Sequence, residues 1–356
     1  MNGRERAAIR RLRAGVVPSW ALERLSVAYE KIKKVVDQSL ERVLAQKQIG
    51  PMFVEGEWGV GKTHLLSYVQ ASARTLGVPC ALINLDAYAS ALNYPQRFYA
   101  TIAERLALEE HHGLKAILTH LACDEQTRTL LYAFAESLES GDFSYALAAL
   151  CHSALRGEEA VADEQYSWNV LLGLDVSWSV YGYKRRAALA RISALSRMFG
   201  AIGLGGLVVL FDEAETIDQL WNIRSRLTAY TTIGTMCQSA GLWAIFGITE
   251  RFNRTLAEDI KRLARDHIPV EENAHWFLTR WLKGAFDTVK PPSIDKHLAP
   301  MVAERVAELY RDAYEVDFDK LHFDQIVVEW VSNPVRNPRR LIRSIVERMD
   351  RARQIS

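Results

Sequence analysis

Residues 56–63 read Gly56-Glu57-Trp58-Gly59-Val60-Gly61-Lys62-Thr63, and this stretch decides the fold of the chain. It has the form G-x-x-x-x-G-K-T, it follows an apolar segment at 52–54, and it precedes a helix-like segment at 64–69. A strand, a glycine loop and a helix in this order are typical of a phosphate-binding loop. The glycines let successive backbone N–H groups point at phosphate oxygens, and the helix N-terminus attracts the same anion.

Two side chains of this loop have chemical roles of their own. Lys62 would reach the β- and γ-phosphates of ATP, and the Thr63 hydroxyl would bind Mg²⁺. We expect the following residues to contact the nucleotide: Gly56, Glu57, Trp58, Gly59, Val60, Gly61, Lys62, Thr63 and His64. The alternative is an ordinary glycine turn with a surface lysine.

A second motif reads Leu207-Val208-Val209-Leu210-Phe211-Asp212-Glu213. Its continuous apolar run predicts a strand that is buried on both faces, with two carboxylates at its end. Ligands of open α/β folds bind at the carboxyl ends of parallel strands. Asp212 is therefore the candidate partner of Mg²⁺, and Glu213 is the candidate general base that activates water. The alternative is a strand that leads into an acidic helix start.

Bulk properties exclude several classes of protein. The 356 residues carry a net charge of +1, so the whole protein is not an obvious binder of polyanions. The four cysteines are far apart and form no C-x-x-C pair, which predicts reduced thiols in a cytoplasmic protein. We find no signal-peptide pattern and no apolar run long enough to span a bilayer, so we expect no membrane partner.

The strand pattern predicts an α/β fold. Apolar segments bounded by turn residues occur at 52–54, 80–85, 207–211, 242–248 and 267–270. Helical segments alternate with them, so we predict a parallel five-stranded P-loop sheet with helices on both faces. Thr249 closes the fourth segment beside the acidic strand, which makes it the candidate sensor of the γ-phosphate.

The chain divides into three predicted domains. Residues 1–50 form an N-terminal helical arm, residues 51–272 the ATPase core, and residues 273–356 an all-helical C-terminal lid. The core contains a helical insertion at about 95–202, with helices at 96–109, 113–122, 125–138, 142–156 and 183–200 and an irregular part at 157–182. Further helices are predicted at 19–49, 215–239, 252–265, 274–287, 297–314, 321–331 and 336–352.

Arginines cluster at both ends of the chain. Residues 1–17 contain five of them, which indicates either a solvated arm or a contact with nucleic acid or a neighbouring subunit. Arg339 and Arg340 follow Asn337-Pro338 at a predicted helix start, where the helix dipole disfavours cations. This cluster indicates either an anionic ligand or a basic solvated face.

These motifs together resemble AAA+ ATPases, in which phosphate loop, acidic strand, polar strand end and helical lid follow in this order. The resemblance implies that Arg339, at the start of a lid helix, senses the nucleotide. It also implies that an arginine ahead of the fifth strand reaches the nucleotide of a neighbouring subunit. Arg265 is at the matching place in the sequence, and Arg262 is the second candidate for this role.

More narrowly, the chain resembles the BrxC/BrxD ATP-binding proteins of bacterial BREX phage-exclusion systems, and BrxD in particular. The similar stretches are Leu12-Arg13-Ala14-Gly15-Val16-Val17-Pro18, Glu55 to Thr63, Ala154-Leu155-Arg156-Gly157-Glu158 and Gly206 to Glu215. The resemblance implies a cytosolic, magnesium-dependent ATPase in antiviral defence, which works as a homo-oligomer or in a complex with other proteins of the system.

Three functions remain open at this point. The first is an AAA+ hydrolase that drives partner proteins, with ATP and Mg²⁺ as cofactors. The second is a switch or scaffold that binds ATP without turnover. The third is an ATPase of the transposition or replication type that loads on DNA, for which the basic N-terminus is the direct support. An intact Asp212-Glu213 pair favours the first.

Overall fold

The computed structural model describes residues 2–15, 17–18, 21–47, 49–86, 91–139, 141–156, 161–174, 181–316, 323–333 and 337–355. These residues form two compact units. Unit 1 comprises Met1–Val35, Gly56–Ala71 and Lys290–Ser356, and unit 2 comprises Val36–Glu55 and Ser72–Val289. Both units are discontinuous in sequence and group the chain differently from the segments 1–50, 51–272 and 273–356, which stay predictions about domains.

Unit 2 contains a seven-stranded sheet. Its strands are β1 (Met52–Glu55), β2 (Cys80–Asn84), β3 (Leu106–Leu108), β4 (His111–His112), β5 (Leu207–Asp212), β6 (Leu242–Ile248) and β7 (Asp287–Val289). Their order across the sheet is β4-β3-β2-β5-β6-β1-β7. Neighbours from β2 to β7 are parallel, whereas β3 is antiparallel to both β2 and β4. Five parallel strands are thus extended at one edge by an antiparallel hairpin.

The helices that the structure describes separate these strands and complete both units. They are α1 (Asn2–Arg13), α2 (Leu22–Leu25), α3 (Glu30–Leu44), α4 (Lys62–Thr75), α5 (Pro95–Arg105), α6 (Leu114–Cys123), α7 (Glu125–Ser137), α8 (Asp142–Arg156), α9 (Val161–Leu171), α10 (Tyr181–Ala201), α11 (Ile223–Gln238), α12 (Glu250–Arg265), α13 (Glu272–Leu282), α14 (Leu298–Tyr314), α15 (Asp324–Ser332) and α16 (Pro338–Ile355).

The central strands β5 and β6 form where the sequence predicts them. Every residue of both strands is buried, as is typical of parallel strands covered on both faces. Four of the five predicted strands therefore exist, at 52–55, 80–84, 207–212 and 242–248.

The prediction of a strand at 267–270 is wrong. The chain there forms neither helix nor strand, and Pro269 has no N–H group to donate to a strand ladder. The fifth parallel strand is β7, which pairs with β1 on the side opposite β6. The sheet is also larger than the predicted five strands, because residues 106–112 form β3 and β4. The prediction extended a helix to residue 109, since the short apolar run of β3 continues the helical spacing of α5.

The helical insertion largely follows the prediction. Helices α6, α7, α8 and α10 match the predicted ranges within two residues. Residues 161–171 form α9, so the prediction of an irregular segment there is wrong, while 157–160 and 175–180 lie outside the described residues. Val16, Gly157 and Glu158, from the stretches that resemble BREX proteins, also lie outside them.

The predicted helix 215–239 is two elements. A 3-10 helix spans Ala214–Gln219, and α11 begins after Asn222. The Asn222 side chain accepts a hydrogen bond from the Ser225 N–H at 2.8 Å, which caps α11 and separates it from the 3-10 helix. The predicted helix 274–287 likewise ends early, at Leu282, because residues 287–289 belong to β7.

Unit 1 is helical. Its core is formed by α1 and α2 with α14, α15 and α16, and it buries side chains such as Ile9, Leu12 and Leu341. Arg13 of α1 donates to both oxygens of Asp350 in α16, at 2.7 and 2.6 Å. Such a bidentate pair fixes orientation as well as adding energy. The N-terminal helix is therefore part of a packed core rather than a solvated arm.

Two further predictions concern the cysteines and the absence of membrane-spanning segments. All four cysteines are free thiols, as expected, and three of them are buried. Burial raises the pKa of the Cys151 thiol to about 11, so this side chain stays protonated at neutral pH. Within the described ranges, no helix has the length and apolar character needed to cross a membrane.

A buried ion pair joins α11 to α12 in unit 2. Asp259, which is 2% exposed, accepts hydrogen bonds from Arg226 at 2.6 and 2.7 Å and from the Tyr230 hydroxyl at 2.8 Å. Removal of one partner of a buried pair leaves the other charge uncompensated. This contact holds α12 against α11, and α12 begins at the end of β6.

We expect Asp259→Asn to lower the free energy of unfolding by about 3–5 kcal/mol, because Arg226 loses its counter-charge. Urea denaturation followed by circular dichroism measures the change. The control is Asp312→Asn, which breaks an exposed pair with Arg24 and should cost less than about 1 kcal/mol. Equal losses of unfolding free energy in the two variants would contradict a stabilising role for the buried pair of Asp259 with Arg226.

Candidate functional site

The phosphate loop has the backbone geometry that its glycines allow. Gly59 and Gly61 have φ angles of +83° and +110°, which residues with a side chain rarely adopt. Gly56 has a different reason, since a Cβ atom there would lie 2.5 Å from a methyl carbon of Val60. Helix α4 begins at Lys62, directly after the loop. The N–H groups of its first turn therefore follow the loop without a break, as anion binding requires.

The Lys62 side chain folds back over the loop. It is 7% exposed, and its ammonium donates to the carbonyl oxygen of Gly56 at 2.7 Å and of Glu57 at 3.4 Å. The same ammonium lies 5.7 Å from the centroid of the Trp58 ring, which is itself 69% exposed. A buried cation held by carbonyl oxygens gains more from phosphate oxygens, because only the latter carry charge. The loop therefore fits a polyphosphate.

Residues from the C-terminal part of unit 1 line the same loop. A Cβ atom on Gly59 would lie 2.9 Å from the amide nitrogen of Asn337, and one on Gly61 would lie 3.7 Å from Pro291. The Asn337 side-chain oxygen accepts from the N–H of Arg339 at 2.9 Å and so caps α16. The start of α16 is thereby held at the loop, and Arg339 lies exposed in its first turn.

Asn337 is a site residue that the sequence analysis missed. The cluster of arginines after it drew attention to the helix start, but not to the asparagine itself. An asparagine followed by proline is a typical N-cap followed by a first helical residue, so the signal for a capped helix was present. Its contact with Gly59 was not visible, because the two residues are far apart in sequence.

His64 does not present its ring to the loop. Its Nε2 atom lies 2.9 Å from the Ser26 hydroxyl, and its ring packs edge-on against Tyr29 with centroids 5.6 Å apart. Burial lowers the pKa of His64 to about 4, so the ring is neutral at pH 7. The ring is thus engaged away from the loop, and a contact of the His64 backbone N–H with the nucleotide stays a prediction.

The acidic end of β5 lies at the carboxyl edge of the sheet in unit 2. Asp212 is buried at the last position of the strand, and its Oδ1 atom accepts from the N–H of Glu213 at 3.0 Å. Glu213 has a φ angle of +62°, in the left-handed region that residues other than glycine rarely adopt. Such strained positions cluster at functional sites, where the surrounding structure maintains them.

Thr249 ends the strand next to this acidic pair. β6 pairs with β5 on one side and with β1 on the other, so Thr249 follows a strand between the acidic strand and the one that leads into the phosphate loop. Thr249 is 3% exposed, and its hydroxyl has no hydrogen-bond partner among the described residues. A buried hydroxyl without a partner is costly, which favours a role for it toward a bound group.

The same sheet edge carries polar residues that the sequence analysis did not select. Asn84, at the end of β2, is paired in register with Asp212. Glu55, at the end of β1, accepts a hydrogen bond from the Asn253 side chain at 3.1 Å. Each follows a buried strand in sequence, so strand-end position was the available signal. These residues show that the carboxyl edge is polar across β2, β5, β6 and β1.

Arg265 and Arg262 are not brought to this edge within the chain. Helix α12 starts right after Thr249, and Arg265 is its last residue, about 22 Å further along at 1.5 Å per residue. Arg265 is exposed and pairs with Asp266 at 2.7 Å, and Arg262 approaches the same carboxylate at 3.5 Å. A role of either arginine toward a nucleotide stays a prediction.

The residues fit the predicted ligands in chemistry. The loop supplies glycine backbone, helix N-terminus and ammonium for phosphates, while Thr63 and Asp212 have the hard oxygen atoms that Mg²⁺ prefers. Within the ranges that the structure describes, no group of three or more His, Cys, Asp or Glu side chains could hold a metal by itself. Mg²⁺ sites of nucleotide-binding proteins usually have one or two protein ligands plus substrate phosphates.

Comparison with known proteins gives one family. A family model described as BREX system ATP-binding protein BrxC/D matches residues 2–356, which confirms the resemblance that the sequence motifs indicate. The model covers BrxC and BrxD together and does not separate them. No curated protein matches the chain.

We expect His64→Gln to change the pH dependence of stability and to leave ATP affinity unchanged. The folded pKa of His64 lies below its unfolded value of about 6.5, so His64 destabilises the folded protein as the pH falls from about 6.5 toward 4. The variant should lose less stability over this interval than the parent. Urea denaturation at several pH values and calorimetric ATP titration measure the two effects. A marked loss of ATP affinity would instead place the imidazole at the nucleotide.

Proposed function

We propose, for a chain that belongs to the family of BREX system ATP-binding proteins BrxC/D, that it is an AAA+-type ATPase acting in antiviral defence. The observation that carries the proposal is the arrangement of strand ends in unit 2. β1, which leads into the phosphate loop, is separated from the acidic strand β5 by β6 alone, and all three are parallel. Parallel strands end at a common edge, so loop start, Thr249 and Asp212 follow adjacent strand ends.

ATP binding is the first step of the proposed function. The loop from Gly56 to Gly61 supplies backbone N–H groups to the phosphates, and Lys62 exchanges its carbonyl partners for phosphate oxygens. Trp58 is exposed, with its ring 5.7 Å from the Lys62 ammonium. The contact of Asn337 with Gly59 makes the start of α16 sensitive to the conformation of the loop.

Hydrolysis is the second step. In this proposal Thr63 and Asp212 would hold Mg²⁺, whose charge would offset negative charge on the phosphates. Glu213 orients a water molecule and takes its proton as the water attacks the γ-phosphorus, while the bond from this phosphorus to the β–γ bridging oxygen breaks and ADP leaves. The buried Thr249 hydroxyl donates a hydrogen bond to the γ-phosphate or to that water, which supplies the partner that it otherwise lacks. Arg339, in the first turn of α16, contacts the same phosphates from the lid.

The acidic pair favours hydrolysis over the alternative of a switch without turnover. A protein that only binds ATP needs the loop, but it gains nothing from a carboxylate held at a strained position beside a buried aspartate. Glu213 is a glutamate at a φ angle of +62°, where glycine or asparagine would fold at lower cost. A function for the carboxylate, beside the buried Asp212 at a strand end, would account for this cost.

The proposal extends to assembly and location. Arg265 lies too far along α12 to reach the nucleotide of its own chain, so it acts on the nucleotide of a neighbouring copy. The chain then works as a homo-oligomer, or in a complex with other proteins of the defence system, in the cytoplasm. ATP turnover drives conformational change in those partners.

We expect Lys62→Ala to lose ATP binding and Glu213→Gln to keep it. The glutamine preserves shape but cannot accept a proton, so turnover should fall by about 10²–10⁴. Calorimetric titration measures binding, and phosphate release measures turnover. Lys261→Ala and Glu258→Gln make the same charge changes on exposed positions of α12 and should leave both quantities unchanged.

Three results would contradict parts of this proposal. Parental ATP affinity in Lys62→Ala would remove the phosphate loop from the site. Parental turnover in Glu213→Gln would assign the base to another residue. A parent protein that binds ATP and shows no turnover at any protein concentration would favour the non-catalytic switch.

We expect Arg265→Ala to act in trans. Alone it should lower turnover by about 10³–10⁵, as removal of an arginine finger does. Mixed with Glu213→Gln, it should regain activity, because some interfaces then combine an intact base with an intact arginine. Phosphate release in the mixture measures the effect, and Arg254→Ala on the same helix is the control. No recovery between proteins that assemble would contradict a trans role, and recovery with Arg262→Ala alone would move that role to Arg262.

A further inference from the structure

Positive charge is concentrated on two helices of unit 1. Helix α1 has five arginines and one acidic residue, and α16 has six arginines and two acidic residues. The two helices together carry a surplus of eight positive charges. Because the whole chain has a net charge of +1, the remainder carries a net charge of −7. The electrostatic field near these two helices is therefore strongly positive, although the net charge of the whole chain is small.

The two helices adjoin in the fold. Their apolar sides share one core with α14, and Arg13 of α1 is paired with Asp350 of α16. The guanidinium of Arg343 donates to the carbonyl oxygen of Ala14 at 2.7 Å, at the end of α1. The remaining arginines of the pair are thus carried on neighbouring helices of one packed unit.

Six of these arginines have no partner within the part of the chain that the structure describes. Among the described residues, no ion pair or side-chain hydrogen bond involves the exposed side chains of Arg10, Arg11, Arg339, Arg340, Arg348 and Arg351. Three of them, Arg340, Arg348 and Arg351, lie along a groove of about 360 Å³ between α15 and α16. Glu329 and Glu347 also line this groove and offset part of its positive charge. They do not offset the surplus of eight positive charges that α1 and α16 carry together.

We propose that the exposed arginines Arg10 and Arg11 of α1 and Arg340, Arg348 and Arg351 of α16, here called the arginine surface, bind the phosphate backbone of duplex DNA. Arginine binds phosphate through two parallel hydrogen bonds, and repeated phosphates match a row of guanidinium groups. Both helices have only arginine as a cation and no aromatic residue. Single-stranded nucleic acid is usually held by stacking of bases on aromatic side chains, so the surface fits an intact duplex better.

Two other polyanions fit less well. A helix that lies on a membrane inserts an apolar face between lipids, but the apolar sides of α1 and α16 are buried in the core of unit 1. An acidic protein would have to match the surface by a specific arrangement of carboxylates. A duplex presents one charge per about 1.7 Å whatever its sequence. The inference does not depend on ATP hydrolysis.

The test is binding of a fluorescein-labelled DNA duplex of random sequence, measured by anisotropy between about 50 and 200 mM salt. The variant carries Arg340→Ala, Arg348→Ala and Arg351→Ala together. The slope of log affinity against log salt should become shallower by about 3, at about one unit for each lost phosphate contact. The control carries Arg254→Ala, Lys261→Ala and Lys283→Ala, which remove the same charge from exposed positions of unit 2, and it should bind as the parent does.

Thermal melting and ATP titration of both triple variants check that the fold is intact. Equal slopes in the groove variant and the parent would overturn the inference, as would an equal change in the control. Failure of the parent to bind the duplex at the lowest salt would do the same. Preference of the parent for a single strand of the same length, or for anionic lipid vesicles as competitor, would also overturn it.

Discussion

The pairing of β6 on both sides is the constraint on which the rest of unit 2 depends. β6 is hydrogen-bonded to β5 and to β1, and all three strands run in the same direction. Their carboxyl ends therefore meet one edge of the sheet, with Thr249 between the strand that ends at Asp212 and the one that ends at Glu55. The buried ion pair of Asp259 with Arg226 then holds α12 in place behind that edge. A shift of β6 by one residue would turn every one of its side chains to the other face.

Unit 1 has a comparable arrangement around the phosphate loop. Gly59 can approach Asn337 closely because it has no side chain, and Asn337 in turn caps α16. The loop and the first turn of α16 are thus coupled through one amide group. If phosphate binding changed the conformation of the loop, the position of the first turn of α16 would therefore change with it. The same helix carries six arginines and two acidic residues, so the element that adjoins the loop is also strongly basic.

Buried polar groups of the protein differ in whether they have hydrogen-bond partners. Lys62 has carbonyl partners within the loop, and Asp259 has three hydrogen bonds, so both are stable without a ligand. The Thr249 hydroxyl has no partner among the described residues. Glu213 retains its backbone strain. Two features that cost free energy, an unsatisfied hydroxyl and a strained backbone, thus lie at neighbouring strand ends of unit 2.

The sequence by itself determined the phosphate loop, the acidic strand and the strand that Thr249 follows. Each is a local pattern, since a glycine spacing or a continuous apolar run is recorded within a few neighbouring residues. It also determined most helices of the insertion, whose periodic apolar positions span several turns. The family followed from such local stretches as well, and the family match over the whole chain bears it out.

Only the tertiary structure decided which segments complete these elements. β7 is too short to be recognised alone, and it is a strand because β1 offers an unpaired edge. The segment 267–270 had the apolar composition of a strand but pairs with none. The contact of Asn337 with Gly59 and the turn of His64 toward Ser26 join residues far apart in the chain. Such contacts depend on which surfaces pack together, and packing is set by the whole fold rather than by any local stretch.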